Sequence, residues 1–282
     1  MQSEHNQKII GLILPTASNY FCHTLIDLYE QDLLKKGYQL ISATTNHSVE
    51  REKEYLISMS NIADGIILMS DAENYDDIAS GIKDTPVIFI SRKPNGCPHT
   101  AIVESDYTAI FQAILSLAND ISDKIAFICS KPHLSTTIEQ VKAYKAAMET
   151  TKSGFNEDLI HYVYTEDCNV ANIISVLQDK GCDVFFTCTH SLTEKFMDYI
   201  FVYNLKNNAN LALAGLSYNK GLTSMQKSID MVAQPINQII DLSLQLLFYQ
   251  KTHPNTISKD YIIKGYLKKR TFDRLSISEI EN

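Results

Sequence analysis

The sequence has few of the residues that many catalytic motifs require. It contains only ten glycines among 282 residues, with no glycine-rich phosphate loop, no dinucleotide-binding fingerprint and no Gly-x-Ser-x-Gly nucleophile turn. The carboxylate pair Asp76 and Asp77 reads as part of a solvated helix face rather than as a catalytic pair. We therefore expect a protein that is not an enzyme and that uses no cofactor.

Cysteine and histidine are present without the spacing that metal sites need. The six cysteines and eight histidines form no Cys-x-x-Cys pair and no other arrangement typical of metal ligands. Several cysteines lie in or beside apolar segments, where a free thiol behaves as a small hydrophobic group. These are Cys22, Cys129, Cys182 and Cys188. We expect them to be reduced and buried, and we expect no bound metal.

Long apolar runs and clustered positive charge are also missing. No run approaches the ~18 apolar residues that a membrane span needs. The polar residues 1–8 lack the basic start and apolar segment of a secretory signal. The net charge of -8 does not suit a surface that binds the phosphates of duplex DNA. The prediction is a cytoplasmic protein with no membrane partner, whose own residues bind DNA poorly.

Short apolar runs do recur, and segments of helical length separate them. Runs of about five residues with little alternation are typical of strands in a buried parallel sheet. The pattern predicts strands near 9–14, 37–41, 64–68, 86–90, 124–128, 161–164, 183–186, 211–215, 229–234 and 260–267. It predicts later helices near 78–82, 107–117, 136–150, 170–178, 192–205 and 235–249. The predicted fold class is α/β, with two doubly wound, Rossmann-like parallel-sheet subdomains.

Ligands of such sheets favour the loops at the carboxyl ends of the strands. The loops of interest follow Leu14, Leu68, Ile90, Cys129, Phe186 and Gly215. Polar residues in and near these loops are therefore the first candidates for a binding site.

Several motifs occur in an order and spacing that are specific as a set. They are Asn19-Tyr20-Phe21, Asp64-Gly65-Ile66-Ile67, Ile90-Ser91-Arg92, Val103-Glu104-Ser105-Asp106 and Val232-Ala233-Gln234-Pro235. Through them the chain, from about Lys8 to Arg274, resembles the effector-binding core of the LacI/GalR family of bacterial transcriptional repressors. Residues 185–192 and 265–270 look closest to the fructose- and sucrose-responsive repressors.

The resemblance implies a periplasmic-binding-protein-like type I fold with a three-stranded crossover hinge. Crossings near Val103, Gln234 and Ile263 would give one subdomain of 8–103 plus 235–262 and a second of 104–234 plus 263–282. Residues 1–7 would be a polar leader or remnant, and two sequential domains remain the alternative. A small sugar or sugar phosphate would bind in the inter-domain cleft and control DNA affinity allosterically.

The resemblance also implies partners. Family members bind operator DNA through a helix-turn-helix domain and a hinge helix, and neither motif occurs in this sequence. The chain is therefore expected to be a shortened form of a repressor, or else a natural homologue without that domain. A homodimer is implied too. Apolar residues at 78–82 and 235–249 fit either a dimer interface or internal packing. The alternative functions are an enzyme, which the missing catalytic motifs disfavour, and the sugar-binding component of a transporter, which shares the fold.

The resemblance and the chemistry of strand ends together indicate ligand-binding residues. The candidates are Asn19, Tyr20, Phe21, Ser70, Arg92, Asp106, Gln140, Thr189, His190, Ser217 and Gln234. Arg92 is the strongest, because its planar guanidinium suits a phosphate, a carboxylate or a pair of sugar hydroxyls. The alternative for Arg92 is a salt bridge with an acidic neighbour. The alternative for Asn19 is helix capping, with the ring of Phe21 in the core.

Three positions depart from the family pattern. Gln140 stands where an arginine commonly grips the effector, Ser91 replaces the aspartate before Arg92, and Ser217 stands where an aspartate is usual. The effector is thus expected to differ from simple hexoses. A phosphorylated sugar held mainly by Arg92 and by backbone amides at helix starts is an open alternative.

Overall fold

Strands and helices alternate along the chain in the order that the apolar pattern predicts. The computed structural model describes residues 8–164, 168–207, 209–217, 231–254 and 256–268. The strands are β1 (Ile9–Leu14), β2 (Gln39–Thr44), β3 (Gly65–Leu68), β4 (Val87–Ile90), β5 (Ala101–Ser105), β6 (Ile125–Cys129), β7 (Ile160–Tyr162), β8 (Val184–Thr187), β9 (Ala212–Leu216), β10 (Met231–Ala233), β11 (Asp260–Lys264) and β12 (Tyr266–Lys268). The α-helices are α1 (Tyr20–Lys35), α2 (Val49–Met59), α3 (Tyr107–Asp120), α4 (Ser135–Met148), α5 (Val170–Asp179), α6 (His190–Asn207) and α7 (Ile236–Thr252).

The first sheet has six strands in the order β11-β5-β4-β3-β1-β2. Every neighbouring pair is parallel, so the carboxyl ends of these strands share one edge. The sheet belongs to a compact unit made of the described residues up to Ser105, His133–Thr136 and Pro235–Lys264. Strands β3 and β4 are buried along their whole length, as their unbroken apolar sequence predicts.

The second sheet has the order β12-β10-β9-β8-β6-β7. It belongs to a unit made of Asp106–Pro132, Thr137–Gln234 and the described residues from Gly265 onward. All of its pairs are parallel except β12 with β10, which is antiparallel. The predicted α/β class with two doubly wound sheets is confirmed, with one antiparallel edge strand added.

The two faces of the second sheet bury different aromatic side chains. Phe185 and Phe186 are adjacent on β8 and therefore point to opposite faces. Phe186 stacks on Phe127 at 5.5 Å between ring centroids, and Phe127 stacks on Tyr144 of α4 at 4.5 Å. Phe185 lies on the other face, 6.4 Å from the ring of Phe196 on α6. Helices cover both faces because β8 is apolar on both.

The sequence predicts one final strand over 260–267, and this prediction is wrong. Strand β11 pairs with β5 in the first sheet, whereas β12 pairs with β10 in the second. Gly265 separates them, and a Cβ at this position would collide with Oδ1 of Asp106. The strand therefore breaks at the residue that lets the Asp106 carboxylate approach the backbone. Lys269 and Arg270 of the predicted tail motif lie outside the described residues.

The predicted helix at 78–82 is also wrong. The segment forms two short 3-10 turns, Tyr75–Asp77 and Ala79–Gly81. A Cβ at Gly81 would come within 3.0 Å of the Lys53 carbonyl oxygen and 2.9 Å of the Leu56 Cβ on α2. Close contact with α2 leaves no room for a full helical turn with side chains around it. Asp76 and Asp77 are exposed, as predicted.

The cysteine prediction is confirmed. All six cysteines are free, and Cys22, Cys129, Cys182 and Cys188 are buried. Among the described helices, none combines the length and the apolar composition that crossing a bilayer would take.

A buried hydrogen bond joins α1 to α7 in the first unit. Tyr29 and Ser243 are fully buried, and their hydroxyl oxygens lie 2.7 Å apart. Ser243 also donates to the carbonyl oxygen of Ile240, so the remaining hydrogen of the pair comes from Tyr29. Burial raises the pKa of Tyr29, which keeps the phenol protonated and able to donate. This pair fixes how the two helices pack.

Removing one hydroxyl should cost more than removing both. We expect Ser243→Ala to lower the free energy of unfolding by about 1–3 kcal/mol, because the buried phenol of Tyr29 loses its acceptor. The double variant Tyr29→Phe with Ser243→Ala should recover part of that loss. Urea unfolding of the two single variants and the double variant measures the coupling. Additive losses would contradict a direct bond between these side chains.

Candidate functional site

Polar residues collect where the strands of the first sheet end. The parallel arrangement places the ends of β2, β3 and β4 at the same edge. His47 follows β2, Ser70 and Asp71 follow β3, and Arg92 follows β4. The ligand candidates Ser70 and Arg92 therefore lie at one edge of one unit.

Arg92 forms a salt bridge with an acidic neighbour, which was the alternative to direct ligand contact. Nη1 of Arg92 pairs with Oδ1 of Asp71. The other oxygen of Asp71 lies 2.7 Å from Nδ1 of His47. The side chain of Asp71 is only 6% exposed and that of Arg92 is 20% exposed. Asp71 engages one nitrogen of a guanidinium that carries five N–H donors, so Arg92 can still face a ligand.

Ser70 takes part in a second network behind Asp71. Its hydroxyl donates to Oε1 of the fully buried Glu52, and the Asp71 backbone N–H donates to Oε2 at 2.9 Å. Burial raises the pKa of Glu52 to about 7, and the hydrogen bonds from Ser70 and Asp71 limit the rise. Ser70 therefore orients Glu52 and the loop after β3.

The departure from the family pattern at Ser91 has a physical reason. Its hydroxyl donates to Oε1 of Glu104 at 2.8 Å, and both residues are buried. Ser91 also adopts a φ of 61°, in the left-handed region. An aspartate at this position would set a second carboxylate against Glu104 and could not donate a hydrogen bond. Serine is thus the residue that fits the charge of this strand end.

The motif that follows β1 builds a helix start. Asn19 is the N-cap of α1, and its Oδ1 accepts a hydrogen bond from the Cys22 N–H at 2.8 Å. The ring of Phe21 is buried among core residues, whereas that of Tyr20 is 37% exposed. Of this motif, Tyr20 presents the most accessible surface for a ligand.

Three ligand candidates of the second unit bond directly to one another. Gln234 donates from Nε2 to Oδ2 of Asp106 at 2.8 Å, and its Oε1 lies 3.1 Å from Nε2 of His190. Because the amide nitrogen faces Asp106, the amide oxygen accepts from a protonated Nε2 of His190. All three side chains are more than nine-tenths buried. Residues far apart in sequence therefore form one polar chain.

Burial shifts the pKa values of Asp106 and His190, the two residues at the ends of this hydrogen-bonded series. It raises the pKa of Asp106 to about 6, with Glu139 adding to the rise and the bond from Gln234 opposing it. It lowers the pKa of His190 to about 4, so the imidazole is neutral at physiological pH. The series of Asp106, Gln234 and His190 therefore contains a carboxylate and an amide but no cation.

The other candidates of the second unit contact the local backbone. Gln140 on α4 donates from Nε2 to the Cys188 carbonyl oxygen at 3.1 Å. The Thr189 hydroxyl accepts from the Leu192 N–H at 3.2 Å at the start of α6. Ser217 is buried, and its N–H donates to the Val232 carbonyl oxygen at 3.1 Å. These contacts shape the loops that follow β8 and β9.

Sequence reasoning missed other polar groups near the strand ends. Thr45 follows β2 and Thr137 lies in the first turn of α4; each has a buried hydroxyl that meets no hydrogen-bond partner within the described ranges. Oδ1 of Asp106, a residue that was predicted, is also buried and meets no hydrogen-bond partner among the described residues. Glu52 and Asp71 were missed as well. Asp71 carries the strand-end signal that identified Ser70, whereas nothing in the pattern of α2 distinguishes Glu52.

Comparisons with known proteins fit this arrangement. No family model matches the chain. The sucrose operon repressor of Lactococcus lactis subsp. lactis is 29% identical over 244 residues, which are 85% of this chain and 74% of the repressor. The ribose operon repressor of Bacillus subtilis is 30% identical over 152 residues, which are 53% of this chain and 44% of that repressor. The predicted resemblance to the effector-binding core of the LacI/GalR family is confirmed.

Solved structures show the same fold at lower identity. The Cra regulator of Pseudomonas putida, in complex with fructose 1-phosphate, has a TM-score of 0.81 and 20% identity, covering 94% of this chain and 99% of that one. A LacI transcriptional regulator from Lactobacillus brevis has a TM-score of 0.79 and 19% identity, covering 93% of this chain and 100% of that one. This chain therefore shares the fold of these regulators over nearly its whole length.

The Asp106 carboxylate should make stability depend on pH with a defined sign. Its folded-state pKa is raised, so its protonated form stabilises the fold below about pH 4, and this is lost as pH rises through about 6. Asp106→Asn removes the charge and keeps an acceptor for Gln234. Relative to the parent, this variant should gain on the order of 1 kcal/mol or more between pH 4 and pH 7.

Urea unfolding at several pH values measures this difference. Because His190 is present in both proteins, its opposite pH dependence cancels in the comparison. Asp77→Asn is the matched control, since Asp77 is exposed. A difference between parent and Asp106→Asn that stays constant from pH 4 to pH 7 would refute the shifted carboxylate.

Proposed function

We propose that this chain is the ligand-binding and dimerisation core of a sugar-responsive transcriptional repressor. The observation that carries the proposal is the similarity to a sucrose operon repressor over 85% of the chain. The similar ribose operon repressor and a neighbouring regulator in complex with cellobiose, with a TM-score of 0.75 and 18% identity, support a sugar as the effector. A regulator of transcription acts in the cytoplasm, where we place this protein.

The chemistry of the strand ends supports a hydroxyl-rich ligand. Buried oxygens of Thr45, Asp106 and Thr137 lack partners in the portion of the chain that the structure describes. An unsatisfied buried oxygen costs about 1–3 kcal/mol, and a hydroxyl group supplied from outside removes that cost. Tyr20 adds an exposed ring, which suits the apolar C–H face of a sugar. We propose that these groups and Arg92 contact the effector.

The remaining candidates hold this set in place. Gln234 and His190 position Asp106, Ser70 positions the loop that carries Asp71, and Asn19 fixes the start of α1. Gln140, Thr189 and Ser217 shape the loops beside them. On this proposal they act on the ligand mainly through the geometry of the residues that contact it.

The effector would alter DNA affinity allosterically, and we assign operator contact to a helix-turn-helix domain rather than to residues of this chain. We propose that two copies pair, as the family relationship implies. Tyr249 on α7 is half exposed and apolar enough to contribute to such an interface. Analytical ultracentrifugation at micromolar concentration should show a dimer, and a monomer there would contradict the pairing.

A thermal-stability panel tests the sugar proposal. A ligand that binds only the folded state stabilises it by roughly 2.7 kcal/mol at a hundredfold excess over its dissociation constant, which is a shift of several degrees. The panel should pair sucrose, fructose, ribose and glucose with their phosphate monoesters. We expect at least one compound, free or phosphorylated, to raise the melting temperature. An unchanged melting temperature with every compound of the panel would contradict the proposed function.

The compound that responds then tests the role of Arg92. We expect Arg92→Gln to weaken binding at least about tenfold, since it removes a charge-assisted donor set. Lys93→Gln is the matched control, because the neighbouring Lys93 pairs with Asp260 at 2.6 Å. Calorimetric titration gives both dissociation constants. Equal dissociation constants for the parent and Arg92→Gln would show that Arg92 does not contact the ligand.

A further inference from the structure

The charge around Arg92 bears on the kind of sugar that this edge accepts. Arg92 is already paired with Asp71, which is 6% exposed. Glu52 lies directly behind Asp71, and the Asp71 backbone N–H binds one of its oxygens. Two carboxyl groups therefore lie beside the guanidinium that an anionic ligand would need.

Two other basic side chains at this edge also contact carboxylates. His47 contacts Asp71, and its side chain is 34% exposed. Asp71 and Arg92 offset each other in charge, and Glu52 behind them is neutral or negative, so neither carboxyl group adds positive charge. The adjacent Lys93 is held by Asp260 at 2.6 Å. An incoming phosphate thus meets a guanidinium and an ammonium group that are each already paired with a carboxylate.

The strand ends of the second unit carry little positive charge of their own. Gln140 is an amide where an arginine is usual in the family, and the buried His190 is neutral. Asp106 contributes a carboxylate. Lys131, two residues after β6, is the cation that remains in the described part of this edge. One ammonium group is a weak counterweight to a phosphate dianion near Asp106.

These observations favour hydroxyl groups over a phosphate. Hydroxyls can donate to a carboxylate and accept from a guanidinium, so a paired Arg92 and Asp71 satisfies both functions of a neutral sugar. A fully ionised phosphate group can only accept, and at contact distance it is repelled by a carboxylate. Discrimination between ligands commonly rests on such a repulsive element.

We propose that the effector is an uncharged sugar and that Asp71 is the residue that excludes its phosphate monoester. This inference rests on the proposed function, and it narrows the ligand to one chemical class. It answers the open alternative of a phosphorylated sugar held by Arg92, because the guanidinium is already neutralised by its neighbour.

Matched sugar pairs test the inference on the unaltered chain. The probes are sucrose with sucrose 6-phosphate, fructose with fructose 1-phosphate, glucose with glucose 6-phosphate, and ribose with ribose 5-phosphate. We expect the free member of the responding pair to bind at least about tenfold more tightly than its phosphate monoester. Tighter binding of the monoester would overturn the inference and leave the sugar-responsive function intact. No binding by any probe would overturn both.

Two charge-removing variants then test the role of Asp71. Asp71→Asn should reduce the preference for the free sugar about tenfold, because it unmasks the charge of Arg92 while keeping a side-chain oxygen. Asp77→Asn removes one charge from the same loop at an exposed position and should leave the preference unchanged. Circular dichroism checks that both variants fold. An unchanged preference in folded Asp71→Asn would overturn the assignment to Asp71, as would an equal change in Asp77→Asn.

Discussion

The buried carboxylate of Asp106 restricts which residues can occupy two distant positions in the chain, 234 and 265. One oxygen requires the amide of Gln234, and the other approaches Gly265 so closely that no side chain fits there. Asp106, Gln234 and Gly265 are also three of the residues of the second unit at which the chain passes to or from the first. A single side chain therefore contacts two segments, around Gln234 and Gly265, that each lie well over a hundred residues from it in sequence.

That constraint explains why the final strand is divided. Apolar and β-branched residues run from Tyr261 to Leu267, interrupted only by Lys264 and Gly265, so the local pattern is typical of one strand. The break comes from a carboxylate 159 positions earlier in the chain, between residues 106 and 265. Because the cause is a tertiary contact, no window of sequence around Gly265 could reveal it.

The sequence predicts the strands and the loops that follow them, but it does not predict contacts between elements that are distant along the chain. Strands such as β3 and β8 are apolar along their whole length, so burial in a parallel sheet follows from their composition. The loops after such strands are the expected place for ligands, and this rule identified Arg92, whereas Asp106 and Gln234 were indicated by the family resemblance. The partners of these side chains depend on packing between elements. Hence the Asp71 partner of Arg92 and the buried Glu52 on α2 were not predicted.

The departures from the family pattern form a consistent set when each is placed in its surroundings. Ser91 faces Glu104, where a second carboxylate would be repelled. Gln140 donates to the backbone at Cys188, a role for which a charged guanidinium is not needed. Both changes reduce the number of ionised groups near the strand ends. The structure thus provides strand ends whose polarity comes from amides, hydroxyls, the Asp106 carboxylate and one compensated ion pair.

A shared fold does not determine which ligand such a site accepts. The Cra regulator that binds fructose 1-phosphate matches this chain with a TM-score of 0.81 at 20% identity, so four in five residues differ on a common backbone. The sheets set where the loops lie, whereas the charge of the side chains in those loops sets what they attract. In this chain the guanidinium at the end of β4 is matched by Asp71, and Glu52 adds a further carboxyl group behind it. The balance of charge at the strand ends, rather than the fold, is therefore the property that separates a receptor for a neutral sugar from one for a sugar phosphate.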